Sequence, residues 1–293
     1  MIILNIIRGI CMAFADSVPG VSGGTVAFVM GFYSEFIESL NTLTSRNSKS
    51  QKKEALTFLF KLGIGWVSGF ILSVLFIASV FETHIYNISS LFLGFIIFSL
   101  PLIYREEKET IAKHYSHLIY TVIGIVVVAL ITYFNPVSQG NGLSMSMNHF
   151  SLGMALYVFI AGMIAISAMV LPGISGSTLL LIFGLYAPII TGIKTLLGFN
   201  FAPLPLLICF GLGVIVGILS VVRLLSKLLI TKRSQLIYLI FGLMIGSLYA
   251  IIMGPTTLEV PKPPMSFEHF NLVFFLLGAL IILGLEKLKT IKQ

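Results

Sequence analysis

Residues 17–33 read SVPGVSGGTVAFVMGFY and residues 171–186 read LPGISGSTLLLIFGLY. Each sets proline, glycine, serine and threonine inside an apolar run, where lipid offers an irregular backbone no hydrogen-bond partners. An offset of 153 residues pairs Pro19 with Pro172, Gly20 with Gly173, Ser22 with Ser175, Gly23 with Gly176, Thr25 with Thr178, Gly31 with Gly184 and Tyr33 with Tyr186. Further along, an offset of 148 pairs Gly63, Gly65 and Gly69 with Gly211, Gly213 and Gly217. It also pairs Gly94 with Gly242 and Ser99-Leu100 with Ser247-Leu248. The five-residue change falls in a connection, where length is cheap. Matches in this order identify an internal duplication, with repeat 1 over about residues 1–147 and repeat 2 over about 148–293 of one membrane domain.

Composition fixes the class. Hydrophobic residues make up 57% of the chain, charged residues 10%, and the mean hydropathy is +1.04. Apolar segments fall at 2–16, 22–40, 56–81, 87–104, 116–134, 150–171, 174–197, 203–229, 235–254 and 269–286. Several approach or exceed the roughly 20 residues that cross a bilayer. The chain reads as an all-α polytopic membrane protein. Its net charge of +7 sits in short connections such as RNSKSQKK (46–53), TKR (231–233) and KLKTIK (287–292). That placement suits an anionic membrane face and not nucleic acid. Cys11 and Cys209 lie in apolar runs without metal or redox spacing. Residues 1–15 end in Ala13-Phe14-Ala15, which resembles a signal-peptide cleavage site. No basic region precedes them, Arg8 interrupts them and the repeat includes them, so they are expected in the mature fold.

The loops set the topology. Residues 41–55, 105–115, 229–235 and the C-terminus are rich in Lys and Arg. Residues 82–86, 135–149 and 198–202 have none, and 255–268 has only Lys262 against two glutamates. The positive-inside rule places the first set, with both termini, in the cytoplasm. Segment 56–81 then runs outward and its counterpart 203–229 runs inward. The repeats are inverted, each a re-entrant helical hairpin plus three transmembrane helices. Residues 2–16 span about 22 Å as helix, short of a core of about 30 Å. The Pro19-Gly20 and Pro172-Gly173 breaks are therefore expected near the midplane. Interrupted segments at matching places in inverted halves point to a transporter's binding site.

The chemistry there favours an anion. Unpaired N–H groups at a helix start carry partial positive charge, and glycines permit close approach. Ser22, Gly23, Gly24 and Thr25, with Ser175, Gly176, Ser177 and Thr178, are the expected phosphate or carboxylate cradle. Intramembrane charges are few and informative. Arg8 is expected to assist by bidentate contact with phosphate; the alternative is an Arg8–Asp16 ion pair that fixes the hairpin. Asp16 and Glu35 are the acidic candidates for charge balance or a coupling proton, Glu35 lying with Glu38 near the solvated cytoplasmic end. The second repeat has Ala161 and Met169 at the positions of Arg8 and Asp16. Gly63-x-Gly65-x-x-x-Gly69 and its copy read as close helix packing. Trp66 and the tyrosines read as packing or interfacial residues, while Lys61, Arg223 and Lys227 snorkel from helix ends. His84, His114, His117, His149 and His269 lie near loops and form no enzyme constellation or metal site.

The two motifs, DSVPGVSGGTVAFVMGFY and LPGISGSTLLLIFGLY, resemble those of the bacterial and archaeal polyprenyl-phosphate transporters, once catalogued as a domain of unknown function. The resemblance runs over essentially the whole chain. It implies a plasma-membrane translocase, without cofactor, that returns undecaprenyl phosphate to the cytoplasmic leaflet for peptidoglycan synthesis. The anionic isoprenoid lipid would be its substrate partner, within membrane lipids. Met169 in place of a second aspartate argues against a mechanism that needs that charge in both halves. The residues alone also admit a carrier of a small soluble anion, or a membrane enzyme of lipid-phosphate metabolism. They leave proton or sodium coupling open.

Overall fold

The structure, a computed structural model, describes residues 2–16, 22–45, 48–73, 78–112, 114–133, 152–176, 179–180, 183, 185–257 and 261–290. Helices dominate it, and no strand occurs among the described residues. Six helical stretches are long and apolar enough to cross a membrane: Lys49–Leu72, His84–Glu106, Tyr115–Tyr133, Leu152–Val170, Leu204–Thr231 and Arg233–Thr256. The chain is an all-α polytopic membrane protein.

The helices are α1 (Ile2–Asp16), α2 (Gly23–Val29), α3 (Tyr33–Thr44), α4 (Lys49–Leu72), α5 (Ala78–Glu106) and the short α6 (Lys108–Ile111). They continue with α7 (Leu118–Tyr133), α8 (Leu152–Val170), α9 (Tyr186–Leu197), α10 (Leu204–Thr231), α11 (Arg233–Met253) and α12 (Leu272–Thr290). The expected single segment over 22–40 is corrected. The chain closes α2 at Gly31, whose φ of 71° is left-handed. Phe32 N donates back to Ala27 O at 3.0 Å and Gly31 N to Phe28 O at 3.0 Å, the hydrogen-bond pattern of a glycine helix stop. In the second motif Leu185 N donates to Leu180 O at 2.8 Å, the equivalent bond 153 residues on. The segment expected over 174–197 therefore also divides before α9. Polar residues start α4 as sharply: Ser48 Oγ accepts from Gln51 N at 3.3 Å while Ser48 N donates to Gln51 Oε1 at 3.2 Å, a capping box. The arms ahead of the two motifs differ in length, since α1 has 15 residues and α8 has 19.

Between helices in lipid, close backbone packing replaces the hydrophobic effect as the main attraction. Here α1 packs on α4, α8 on α10, α5 on α12 and α7 on α11. Glycines set these approaches. A Cβ at Gly65 would lie 2.0 Å from Ile6 O, and one at Gly213 would lie 2.1 Å from Phe159 O. Likewise a Cβ at Gly94 would lie 2.0 Å from Phe275 O and one at Gly242 2.1 Å from Thr121 O. A Cβ at Gly278 would lie 1.9 Å from Leu91 O, and one at Gly124 2.6 Å from Leu239 O. Each contact thus has a counterpart shifted by 148 residues on one side and 153 or 154 on the other. The packing expected of the Gly63 series holds for Gly65 and Gly69 and for Gly213 and Gly217. It fails for Gly63 and Gly211, where a Cβ would meet nothing within 4 Å.

The main core lies where α2, α3, α5 and α11 converge. Phe32, Ile37, Ile96, Ile237, Ile240 and Met244 are fully buried there. Arg223 Nη2 donates to Thr44 O at 3.3 Å and Asn41 Nδ2 to Ser226 Oγ at 3.1 Å. These two bonds tie the end of α3 to α10, so Arg223 caps a helix.

Candidate functional site

The first motif reaches the second through its hydroxyls. Ser22 stands at the N-cap of α2 with extended backbone (φ −134°, ψ 151°), and its Oγ accepts from Thr25 N at 3.2 Å. That local choice follows from residue type, since a serine oxygen at this position satisfies an otherwise orphaned N–H. Ser22 Oγ also donates to Leu171 O at 3.3 Å, and Gly173 N donates to Thr25 Oγ1 at 2.8 Å. Ser22 Oγ and Thr25 Oγ1 stand 3.2 Å apart. With Ser22 donating to Leu171, the Thr25 hydroxyl is left to donate to Ser22, and the hydroxyl circuit is complete. Both side chains are buried, as is Ser175.

Glycine spacing makes this closeness possible. A Cβ at Gly24 would lie 2.8 Å from Val170 O, so any side chain there would push the two motifs apart. Gly173 has φ of +90°, and a Cβ on it would lie 2.4 Å from the Leu243 carbonyl carbon on α11. Both conditions demand glycine. Gly176 sits less tightly, 3.1 Å from Met169 Cβ by the same construction. Tyr33 adds a further tie, donating its hydroxyl to Val170 O at 3.2 Å.

Asp16 closes the first motif from behind. Its Oδ1 accepts from Gly23 N at 2.6 Å and its Oδ2 from Trp66 Nε1 at 2.9 Å. A Cβ at Gly23 would stand 2.7 Å from that carboxylate, so residue 23 must be glycine for Asp16 to reach the backbone. The first N–H of α2 already holds an anion, the protein's own.

Arg8 and Asp16 do not pair. Arg8 Nη1 donates to Asn5 Oδ1 at 2.9 Å and lies 3.6 Å from Glu35 Oε2. Its Cζ sits 4.6 Å from the Phe32 ring centroid, a cation–π distance. Its Nε is buried without a hydrogen-bond partner. Eight residues along one helix separate the two side chains by about 12 Å of rise, and the fold gives each its own partners. Glu35 thereby joins the Arg8 cluster and stands outside the hydroxyl circuit.

Of the expected cradle, Ser22, Gly24 and Thr25 lie against Leu171 and Gly173, the latter an expected hairpin break. Pro19, Gly20, Ser177 and Thr178 lie outside the described residues. Sequence reasoning assigned no role at the site to Trp66 or Tyr33. Tyr33 carried a signal in its match to Tyr186; Trp66 is the only tryptophan in the chain, with nothing in its neighbourhood to announce Asp16.

Known proteins resemble the chain along nearly its whole length. A polyprenyl-phosphate transporter of Staphylococcus aureus is 34% identical, covering 97% of this chain and 96% of its own. A polyprenyl-phosphate transporter of Vibrio cholerae serotype O1 is 32% identical over 96% and 95% respectively. No solved structure matches. The model of the family described as undecaprenyl phosphate translocase-like matches residues 12–269, a span that takes in both motifs and the packing glycines of α4, α5, α7, α10 and α11. The chain belongs to the undecaprenyl phosphate translocase-like family.

Proposed function

We propose that this protein is a translocase for undecaprenyl phosphate or a closely related polyprenyl phosphate, moving it from the outer to the cytoplasmic leaflet of the plasma membrane for reuse in cell-wall synthesis. The observation that carries the reading is the meeting of the two motifs, where the hydroxyls of Ser22 and Thr25 bond to the backbone of Leu171 and Gly173. The names borne by the two relatives supply the substrate class.

In this reading the two repeats are inverted and each motif is the tip of a re-entrant hairpin near the midplane. The helix contacts that recur at the repeat offsets support a common ancestral half. A phosphate headgroup entering between the tips accepts from the Ser22 hydroxyl in the place of Leu171 O, from the Thr25 hydroxyl, and from Gly173 N as that N–H leaves Thr25. Ser175, Gly176, Ser177 and Thr178 complete the cradle from the other side, and Arg8, with an uncommitted Nε, supplies positive charge along the path. Asp16 keeps its two N–H donors and so holds the first tip rigid against Trp66. Asp16 and Glu35 are the places where a coupling ion would act. The isoprenoid tail stays in lipid beside the helices throughout.

The test is leaflet-resolved flipping of fluorescent polyprenyl phosphate in proteoliposomes, with wild type, Arg8→Ala and Ser175→Ala compared. Flipping by the wild type and a loss of about tenfold or more in each variant are expected. A folded wild type that moves no polyprenyl phosphate refutes the substrate, and unchanged flipping in both variants refutes the site. Uptake of inorganic phosphate in place of the lipid would establish a soluble-anion carrier instead.

A further inference from the structure

A pocket of about 240 Å³ opens on the face that carries the charged connections, beneath the α2–α3 corner. Gly31, Tyr33 and Ser34 line it from that corner, Glu106 from the end of α5, Glu107 from the junction with α6, and Arg233 from the start of α11. Phe28 and Tyr33, both of the first motif, line the pocket and meet edge to face at 5.6 Å between centroids. The Tyr33 hydroxyl donates to Val170 O at the end of α8, one residue before Leu171, whose carbonyl accepts from Ser22. Tyr33 therefore ties the pocket to the neighbourhood of the Ser22–Thr25 circuit.

Across the pocket mouth Arg233 pairs with Glu107 through both arms of its fork. Nε stands 3.1 Å from Oε2, and Nη2 pairs with Oε1. The Glu107 side chain is only 14% exposed, while Arg233 remains 44% exposed. A guanidinium grips a carboxylate and a phosphate with the same planar two-point geometry, so Glu107 occupies the place that a phosphate would take. The repeat makes this arrangement one-sided: the offset of 148 residues sets Pro255 opposite Glu107 and Ile85 opposite Arg233. No equivalent guanidinium exists at the corresponding positions of the other half.

We propose that Arg233 receives the phosphate headgroup as it leaves the hairpin tips, and that Glu107 holds the guanidinium while the pocket is empty. This rests on the transport reading above and adds a second phosphate contact to it. Glu107 already fills the Arg233 fork, so a phosphate is held there only by exchanging places with Glu107. Such exchange makes the contact brief, which suits a point of release. It also returns Arg233 to Glu107 once the lipid has gone, closing the mouth.

The experiment uses the full chain with Cys11 and Cys209 replaced by serine and a single thiol introduced by Ser34→Cys. A short-chain polyprenyl phosphate is titrated against labelling of that thiol by a charged reagent, and lipid flipping is measured on the same preparations. In the wild-type background the lipid is expected to protect the thiol. Glu107→Gln lowers the half-protecting concentration about tenfold, because it removes the competing carboxylate. Arg233→Gln abolishes protection, and Arg233→Lys, which keeps the charge but loses the fork, stands between. If Glu107→Gln weakens protection as Arg233→Gln does, the pair is only a latch and the proposal is overturned. Flipping without protection of the thiol overturns it while leaving the transport reading intact. A protein that flips no polyprenyl phosphate overturns the transport reading itself, and this proposal with it.

Discussion

Asp16 offers two carboxylate oxygens to two N–H donors, Gly23 N and Trp66 Nε1, and that match decides what the position tolerates. Asparagine has the same shape but one oxygen, so in Asp16→Asn one donor faces an amide NH2. Leaving a buried donor unpaired costs about 1–3 kcal/mol. Asp16→Asn is therefore expected to lower the thermal stability of the purified protein by that order. Trp66→Phe removes the second donor, so the double variant Asp16→Asn/Trp66→Phe is expected to be less destabilised than the sum of the singles. Strict additivity would show that the two side chains do not share the bond. The hydroxyl of Thr25 poses a similar question. Thr25→Val preserves shape but leaves Gly173 N without its acceptor, and a loss of about 1–3 kcal/mol with slowed flipping is expected; Ser22→Ala, which loses the donor to Leu171 O, is the companion measurement.

At the scale of the element, one helix carries its own control. Gly63 and Gly65 lie on α4, two residues apart, and only Gly65 touches a neighbour. Glycine costs a helix interior about 1 kcal/mol relative to alanine, so Gly63→Ala is expected to be neutral or mildly stabilising. Gly65→Ala gains the same propensity but drives a methyl to 2.0 Å from Ile6 O. Helices α1 and α4 must separate, and overpacking of this kind costs about 1–3 kcal/mol or more. The pair Gly211→Ala and Gly213→Ala on α10 is expected to repeat the contrast. Thermal melting in detergent checks all four, and equal effects at positions 63 and 65 would remove the packing argument. The same contrast explains a limit of sequence reading: spacing marked all three glycines of the series as packing residues, but which of them faces a partner depends on how α4 is turned toward α1.

For the whole molecule, the pairs α5–α12 and α7–α11 join the first half to the second. The halves are thereby interleaved instead of standing side by side. Loop charge predicts their disposition across the membrane. In a background with Cys11 and Cys209 replaced by serine, Glu109→Cys is expected to react with an impermeant thiol reagent only from the cytoplasmic side. Ser266→Cys is expected to react only from the outside. Reaction of both from one side would contradict the inverted arrangement.

Several features were readable from the chain because they depend on composition and order alone. Apolar length fixes the membrane class, since a backbone in lipid must bond within itself. The repeat is visible as matched residues. Other features needed distant residues to meet. The apolar run over 22–40 gave no sign of its division, because valine, phenylalanine and methionine serve a short buried helix and a spanning one equally. The partner of Arg8 is Glu35 and not Asp16, and Trp66 finds Asp16 fifty residues away. Charge type alone named these candidates, but helix rotation and packing assigned the pairs. The sequence by itself thus determined a polytopic membrane protein carrying two similar polar motifs. The tertiary structure alone decided that the motifs meet through Ser22 and Thr25, since buried hydroxyls take whichever backbone groups the packing brings within reach.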